Sequence, residues 1–162
     1  ELCSAVSREC SKYGYEPVML TDQLCCQAKE AGSFLASIAK THCKSGKKLA
    51  YIAGGETVVN ITGHGKGGRN QEIALSAAEG IKGMSNAAVF SIGSDGTDGP
   101  TDAAGGYSDG YTAGELKNKG IDIFEVLKNN DAYNALKLTE GLIITGPTGT
   151  NVNDVSVLLI SD

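Results

Sequence analysis

Residues 49–79 read LAYIAGGETVVNITGHGKGGRNQEIALSAAE, and this stretch decides how the fold is interpreted. Two apolar runs, Leu49–Ala53 and Thr57–Thr62, have the composition of buried β-strands. The segment Gly63–Asn70 then combines four glycines with three potential cations, His64, Lys66 and Arg69. Beyond it, apolar residues recur at helical spacing up to Glu79. The stretch therefore predicts strands that lead through a glycine-rich loop into a helix.

The flanking sequence continues the alternation of strands and helices. It predicts helix 2–13, strand 16–20, a helix capped at Thr21 or Asp22, strand 87–92, a long loop 93–110, short helices within 112–119, 123–129 and 132–136, and closing strands 142–145 and 155–160. Such alternation is typical of an α/β fold, here a three-layer helix-sheet-helix arrangement with a mostly parallel or mixed sheet. We expect residues 1–162 to form one domain, with 1–46 as a helix-strand-helix lead-in and 47–162 as the motif-bearing part.

Composition narrows the range of functions. The chain has 162 residues and a net charge of −5, so general nucleic-acid binding, which usually needs a basic face, is not expected. No apolar run reaches the roughly 18 residues of a membrane span. The five cysteines form no Cys-x-x-Cys pair, which favours reduced thiols and a cytoplasmic location, with an organelle not excluded. The chain begins in a predicted helix and without Met, as expected for part of a longer protein.

The glycine-rich loop has the features of an anion-binding site. Glycines let backbone N–H groups approach a ligand, and the following helix N-terminus adds a positive field. The loop misses the P-loop pattern at two positions, because Arg69 and Asn70 replace its Lys and its Mg²⁺-binding hydroxyl. Arg69 suits bidentate binding of a carboxylate or phosphate. A hairpin with solvated cations is the alternative. The binding candidates are Gly65, Lys66, Gly67, Gly68 and Asn70.

A second candidate site is the acidic loop Gly93–Asp102, which follows a predicted buried strand and carries Asp95, Asp98 and Asp102. Aspartates in such a loop can hold Mg²⁺ or Ca²⁺, or accept a proton from a substrate. They can also do no more than cap turns, because Asp-Gly pairs are ordinary turn formers. The spacing is not that of an EF-hand, since no Glu stands at the twelfth position of the loop.

Two further polar segments are candidates for binding a substrate. Glu56 follows Gly54-Gly55 at the end of a predicted strand and can serve as a base, a metal ligand or a partner for an arginine. The segment Thr145–Asp154 lies between two predicted strands, and Thr148 and Asn151 are its candidate ligands. An ordered loop held by Asx turns would have the same composition, so the pattern leaves both interpretations open.

Taken in order, four of these segments resemble the C-terminal domain of class II glycerate 2-kinases, the MOFRL domain. They are residues 54–57, 65–72, 94–105 and 145–154. The resemblance implies phosphoryl transfer from ATP to D-glycerate, normally with Mg²⁺, in a cleft shared with a larger N-terminal domain. It implies that Arg69, Asp95 and Asp98 are catalytic and that the two aspartates position either Mg²⁺ or the substrate hydroxyl, two roles that the sequence does not separate. The chain alone is then expected to be inactive, because ATP and Mg²⁺ binding would need the missing domain.

Two alternatives to a kinase remain. The first is an anion-binding module without catalysis, since a preformed cradle can bind an anion without transforming it. The second is a hydroxypyruvate reductase, which is an older label for some members of the family that the chain resembles. Gly63–Gly68 matches the Gly-x-Gly-x-x-Gly spacing of dinucleotide-binding loops, but it lacks the context of a first strand and an acidic residue about 20 positions later.

Overall fold

A computed structural model describes the whole chain, residues 1–162. Helices and strands alternate along most of it. The elements are α1 (Leu2–Lys12), β1 (Glu16–Thr21), α2 (Ala28–His42), β2 (Leu49–Gly55), α3 (Arg69–Gly80), β3 (Ala87–Gly93), β4 (Gly105–Asp109), α4 (Thr112–Asn118), α5 (Ile123–Lys128), α6 (Ala132–Leu138), β5 (Leu142–Ile143) and β6 (Asp154–Ile160). None of the helices is both long enough and apolar enough to cross a membrane.

The six strands form one mixed sheet in the order β1-β2-β6-β3-β4-β5. Only β1 and β2 pair in parallel, and every other neighbouring pair is antiparallel. The last strand, β6, enters the centre of the sheet between β2 and β3. The α/β fold with a mixed sheet is therefore confirmed.

The strand predicted at Thr57–Thr62 is wrong. β2 already has β1 and β6 as neighbours, so this segment finds no free edge beside it. It leaves the sheet instead, makes one isolated bridge between Val58 and Gln27, and leaves Ile61 79% exposed. Its apolar residues therefore line a surface cleft, and only Val59 also packs against the edge of the main buried cluster.

Two other segments differ from the sequence prediction by more than two residues. The second helix begins at Ala28 and not near Asp22, because Thr21 accepts a local hydrogen bond from the N–H group of Gln23. The predicted loop 93–110 contains β4, whose sequence GGYSD has no strand composition. Gly105 and Gly106 allow this strand to pair closely with β3, since a Cβ atom at Gly105 would collide with the carbonyl oxygen of Ser91.

Helices cover both faces of the sheet, as the three-layer prediction requires. On one face, α2 and α3 pack against Tyr51 and Leu158 in the largest buried cluster. On the opposite face, α1 packs through Cys3 against Ile52 and Val157. Helices α4, α5 and α6 pack against the outer side of α3 in a further apolar cluster. Helix α3 is therefore held from several sides, which gives its N-terminus a defined position.

The sheet topology places three chain segments at one edge of the sheet. Because β6 runs antiparallel to both neighbours, its first residue, Asp154, stands opposite Gly55 of β2 and Gly93 of β3. The segments that follow β2 and β3 therefore leave the sheet on either side of Asp154. The first of them leads into the N-terminus of α3.

Candidate functional site

An open cleft of about 640 Å³ lies at this edge of the sheet. Its walls come from the segment after β2, from the first turn of α3 and from the loop between β3 and β4. The residues that line it are Thr57, Val58, Val59, Ile61, Gly63, Gly65, Gly67, Gly68, Arg69, Glu72, Asp95, Thr97, Asp98, Gly99, Pro100 and Asn130. The cleft thus brings the glycine-rich loop and the acidic loop together.

Arg69 is the main cation of the cleft, and two carboxylates hold it. It is the first residue of α3, and its Nε and Nη2 atoms donate to the two carboxylate oxygens of Asp154. Nη2 also lies 3.6 Å from Oε1 of Glu56. The hydrogen bond to Asp154 raises the pKa of the Arg69 guanidinium, so the group is charged at any physiological pH. Its side chain stays 36% exposed, which leaves it accessible to an anion in the cleft.

Asp98 caps α3 from a distant loop. Its Oδ1 accepts from the N–H of Asn70 at 3.1 Å, and its Oδ2 accepts from the N–H of Gln71 at 2.8 Å. The N-cap residue, Gly68, has no side chain to do this. Burial raises the pKa of Asp98 to about 6, although these N–H groups act in the opposite direction. The geometry supports the capping interpretation of this aspartate, and a direct role in catalysis stays a prediction.

Asp95 differs from Asp98 because part of its carboxylate is unused. Its Oδ1 accepts from the N–H and the hydroxyl of Thr97, and the N–H contact is the main reason that its pKa is lowered. Its Oδ2 accepts no hydrogen bond from the chain. No cluster of three or more His, Cys, Asp or Glu side chains is arranged to hold a metal ion. The predicted pair of Mg²⁺ ligands, Asp95 and Asp98, therefore stays a prediction, for which Asp95 is the better placed.

Much of the glycine-rich loop is used to pack against the segment between α5 and α6. The N–H of Gly65 donates to the carbonyl of Asn129, and the N–H of Lys66 donates to Asp131. By contrast, the N–H groups of Gly67 and Gly68 make no hydrogen bond within the chain, and both residues line the cleft. Within the predicted anion cradle, the free N–H groups are thus confined to the start of α3, and anion binding there stays a prediction.

Several predicted binding side chains do not line the cleft. The Lys66 ammonium lies over the Tyr133 ring, 3.9 Å from its centroid. Asn70 is buried, and it hydrogen-bonds to Asp98 and Ser91. Thr148 donates its hydroxyl hydrogen to the carbonyl of Ser94, which fixes its loop against the acidic loop. Asn151 is exposed in that same loop and makes no hydrogen bond through its side chain. A role of these residues in substrate binding is untested.

The structure adds cleft residues that the sequence did not single out. In the sequence, Asp154 was only the last residue of the polar segment Thr145–Asp154. Its ion pair with Arg69 depends on the register of β6. Glu72 is 4% exposed and accepts from Nδ2 of Asn130 at 2.9 Å. The sequence could have indicated Glu72, because residues three positions apart on a helix share a face and Glu72 lies three positions after Arg69. Asn130 carried no such signal. Thr57 is buried, and its hydroxyl has no hydrogen-bond partner.

Several glycerate kinases are similar to this chain in sequence, and the crystal structure of one of them is similar in fold. The D-glycerate 2-kinase of Thermotoga maritima is 51% identical over 164 residues, which covers 99% of this chain and 39% of the relative. The glycerate 2-kinase of Pyrococcus horikoshii is 45% identical over 164 residues, with 98% and 37% covered. The crystal structure of the Thermotoga maritima glycerate kinase matches with a TM-score of 0.93 at 51% identity, over 98% of this chain and 39% of that one. This chain therefore spans well under half the length of these relatives.

The family assignment rests on the part of the chain that builds the cleft. Residues 49–154 match the MOFRL family, and they include β2, the glycine-rich loop, α3, the acidic loop and the segment that leads into β6. This match covers more than half of the chain, and it contains both partners of the Arg69–Asp154 ion pair. The chain belongs to the MOFRL family.

Proposed function

We propose that this chain supplies one wall of the active site of a glycerate kinase, which transfers the γ-phosphoryl group of ATP to a hydroxyl of D-glycerate. The observation that carries the proposal is the position of Arg69. Asp154 holds its side chain in the cleft, beside the free N–H groups of Gly67 and Gly68. Both substrates are anions, and this arrangement offers fixed positive charge and two N–H groups that have no partner in the chain. The names of the relatives support the choice of glycerate.

The proposed chemistry relies on positioning and electrostatics. A phosphoryl group in transfer spreads negative charge over its oxygens, so the enzyme contributes mainly by orienting the groups and stabilising that charge. Arg69 can bind the glycerate carboxylate or the moving phosphoryl group. The N–H groups of Gly67 and Gly68 lie at the N-terminus of a 12-residue helix, where an anionic oxygen is favoured. Asp154 fixes the Arg69 side chain and is a positioning residue in this scheme.

Asp95 fits the Mg²⁺ that such a reaction normally needs. Mg²⁺ commonly takes one or two carboxylates and completes its shell with phosphate oxygens and water. Asp95 has a carboxylate oxygen without a protein partner, whereas both oxygens of Asp98 accept N–H groups of α3. When bound, the ion would neutralise charge on the β- and γ-phosphates.

The remaining walls of the site are proposed to come from sequence that the longer relatives contain and this chain does not match. Half a cleft cannot orient two substrates, so the isolated chain should be inactive. A reducing compartment such as the cytoplasm is proposed for the protein, since all five cysteines are free.

The test is an ATP-coupled assay of ADP release with D-glycerate, performed on the full-length natural protein. We expect the wild-type protein to release ADP when D-glycerate is present. Arg69→Ala should lower kcat/KM by about 10³-fold with the fold preserved. Arg8→Ala, which removes an exposed arginine on α1, is the matched control and should leave activity unchanged. Full activity in Arg69→Ala would exclude Arg69 as an active-site residue. Turnover by the isolated 162-residue chain would contradict the shared cleft.

The alternatives have less support. The Gly-x-Gly-x-x-Gly spacing lies in an irregular segment that does not directly follow a strand, so it lacks the strand-turn-helix geometry of a dinucleotide site. No other observation favours a reductase. An anion-binding module without catalysis predicts that the full-length protein binds glycerate, as measured by calorimetry, and releases no ADP in the assay above.

A further inference from the structure

Glu72 is a buried carboxylate within the proposed active site. It lies one turn after Arg69 on α3, lines the same cleft and is only 4% exposed. Buried glutamates usually have a cationic partner, because burial of an isolated charge is costly. Glu72 has none, and its single side-chain hydrogen bond comes from the neutral amide of Asn130 to Oε1.

One carboxylate oxygen of Glu72 is free to contact a ligand. Oε2 accepts no hydrogen bond from the chain, whereas Oε1 accepts from Asn130. Oε2 also stays accessible to solvent, whereas the unpaired hydroxyl of Thr57 is sealed off from it. A substrate hydroxyl in the cleft can therefore donate to Oε2, because Glu72 lines the cleft.

The surroundings of Glu72 suit a proton acceptor. Burial is the main cause that raises its pKa, and the negative charge of Asp98 on the loop after β3 acts in the same direction. Asn130, between α5 and α6, and Lys29 on α2 act in the opposite direction. A carboxylate of raised pKa is a better base near neutral pH than an exposed glutamate, since efficient proton transfer needs a pKa close to the working pH.

We propose that Glu72 is the catalytic base of the kinase and that Oε2 accepts the proton of the attacking glycerate hydroxyl. The O–H bond of glycerate breaks, and its proton passes to Oε2. The oxygen forms a bond to the γ-phosphorus, and the bond from that phosphorus to the β,γ-bridging oxygen breaks, with its electron pair leaving on ADP. This inference rests on the proposed function, whose cleft and substrates it uses.

The competing explanation is a purely structural role. Asn130 also accepts from the N–H groups of Thr62 and Gly63, at 2.7 and 2.9 Å, and so holds the wall of the cleft in place. Glu72 would then serve only to orient the Asn130 amide. Glu72→Gln separates the two roles, because glutamine keeps an acceptor oxygen for Nδ2 of Asn130 but cannot take up a proton.

The experiment compares wild type, Glu72→Gln and the control Glu79→Gln in the full-length protein, by the ADP-release assay across a range of pH. Glu79 lies on the same helix, is exposed and does not line the cleft. We expect kcat of Glu72→Gln to fall by about 100-fold or more, with KM for glycerate changed by less than about threefold. The acidic limb of the wild-type kcat/KM profile should disappear in Glu72→Gln and persist in Glu79→Gln.

Retained activity in Glu72→Gln, or an unchanged acidic limb, would overturn the inference and leave the proposed function standing. If Glu72→Gln does not fold, wild type is compared with Asp98→Asn, since Asp98 also titrates near pH 6. A base of raised pKa at Glu72 requires an acidic limb in both proteins, and a flat acidic side in either would refute the inference. Absence of glycerate-dependent ADP release in the wild-type protein overturns the proposed function itself.

Discussion

The substitution Gly32→Ala should destabilise the protein, although alanine is the better helix former. Gly32 lies in α2 where this helix crosses α3. A Cβ atom there would lie far inside contact distance of the carbonyl oxygen of Ile73, 3.0 Å from Cβ of Ser76 and 3.1 Å from the nitrogen of Ala77. The main obstacle is a backbone atom of a packed helix, which cannot rotate away.

The expected magnitude follows from two opposing effects. Alanine gains about 1 kcal/mol over glycine in a helix interior. Overpacking of a close helix contact costs about 1–3 kcal/mol, and a backbone collision belongs at the upper end of that range. The net loss in the free energy of unfolding is then about 2 kcal/mol, which for a chain of this size lowers Tm by about 4–8 °C.

Urea unfolding followed by circular dichroism measures this difference. Gly114→Ala in α4 is the matched control, because nothing lies within 4 Å of the added Cβ. It should stabilise the chain by about 0.5–1 kcal/mol. A Gly32→Ala protein that is as stable as wild type would refute the close approach of α2 and α3. Since α3 carries Arg69, a displacement of about 1 Å should also lower the kinase activity proposed for the full-length protein by up to about 100-fold.

Three further predictions concern the carboxylates around the cleft. Asp95→Asn should raise the Mg²⁺ concentration needed for half-maximal activity of the full-length protein by about tenfold, because it removes the charge of the proposed ligand. An unchanged Mg²⁺ titration would exclude Asp95 as a ligand. Asp154→Asn should lower kcat/KM by about 10–100-fold with the fold retained, because Arg69 loses its charged anchor; kinetics and thermal unfolding together check this, and wild-type activity would contradict it. The pKa of Asp98 is raised from 3.8 to about 6, so its contribution to stability is fully present below pH 3.8 and is lost as the pH rises through about 6. Asp98→Asn should therefore flatten the fall in unfolding free energy between pH 4 and 7, measured by urea titration at each pH, whereas an identical slope in both proteins would contradict the raised pKa.

The sequence by itself determined the local elements and the candidate loops. Apolar periodicity placed α3 and β3 correctly, and the spacing of glycine and charge marked Arg69 as the first residue to examine. These features are local, because helix and strand periods act over a few neighbouring residues. The motifs also carried the family resemblance, which the match over residues 49–154 confirms.

Only the tertiary structure decided which of these residues work together. Asp154 and Arg69 are 85 positions apart, and they meet because β6 inserts between β2 and β3 in one register. Asp98 caps α3 across 28 positions, and Glu72 becomes a buried carboxylate without a cationic partner because α3 is covered on several sides. Such contacts depend on strand order and helix packing, and these result from many weak interactions along the whole chain. No short pattern encodes them, and this is why Thr57–Thr62 had the composition of a strand but became the wall of a cleft.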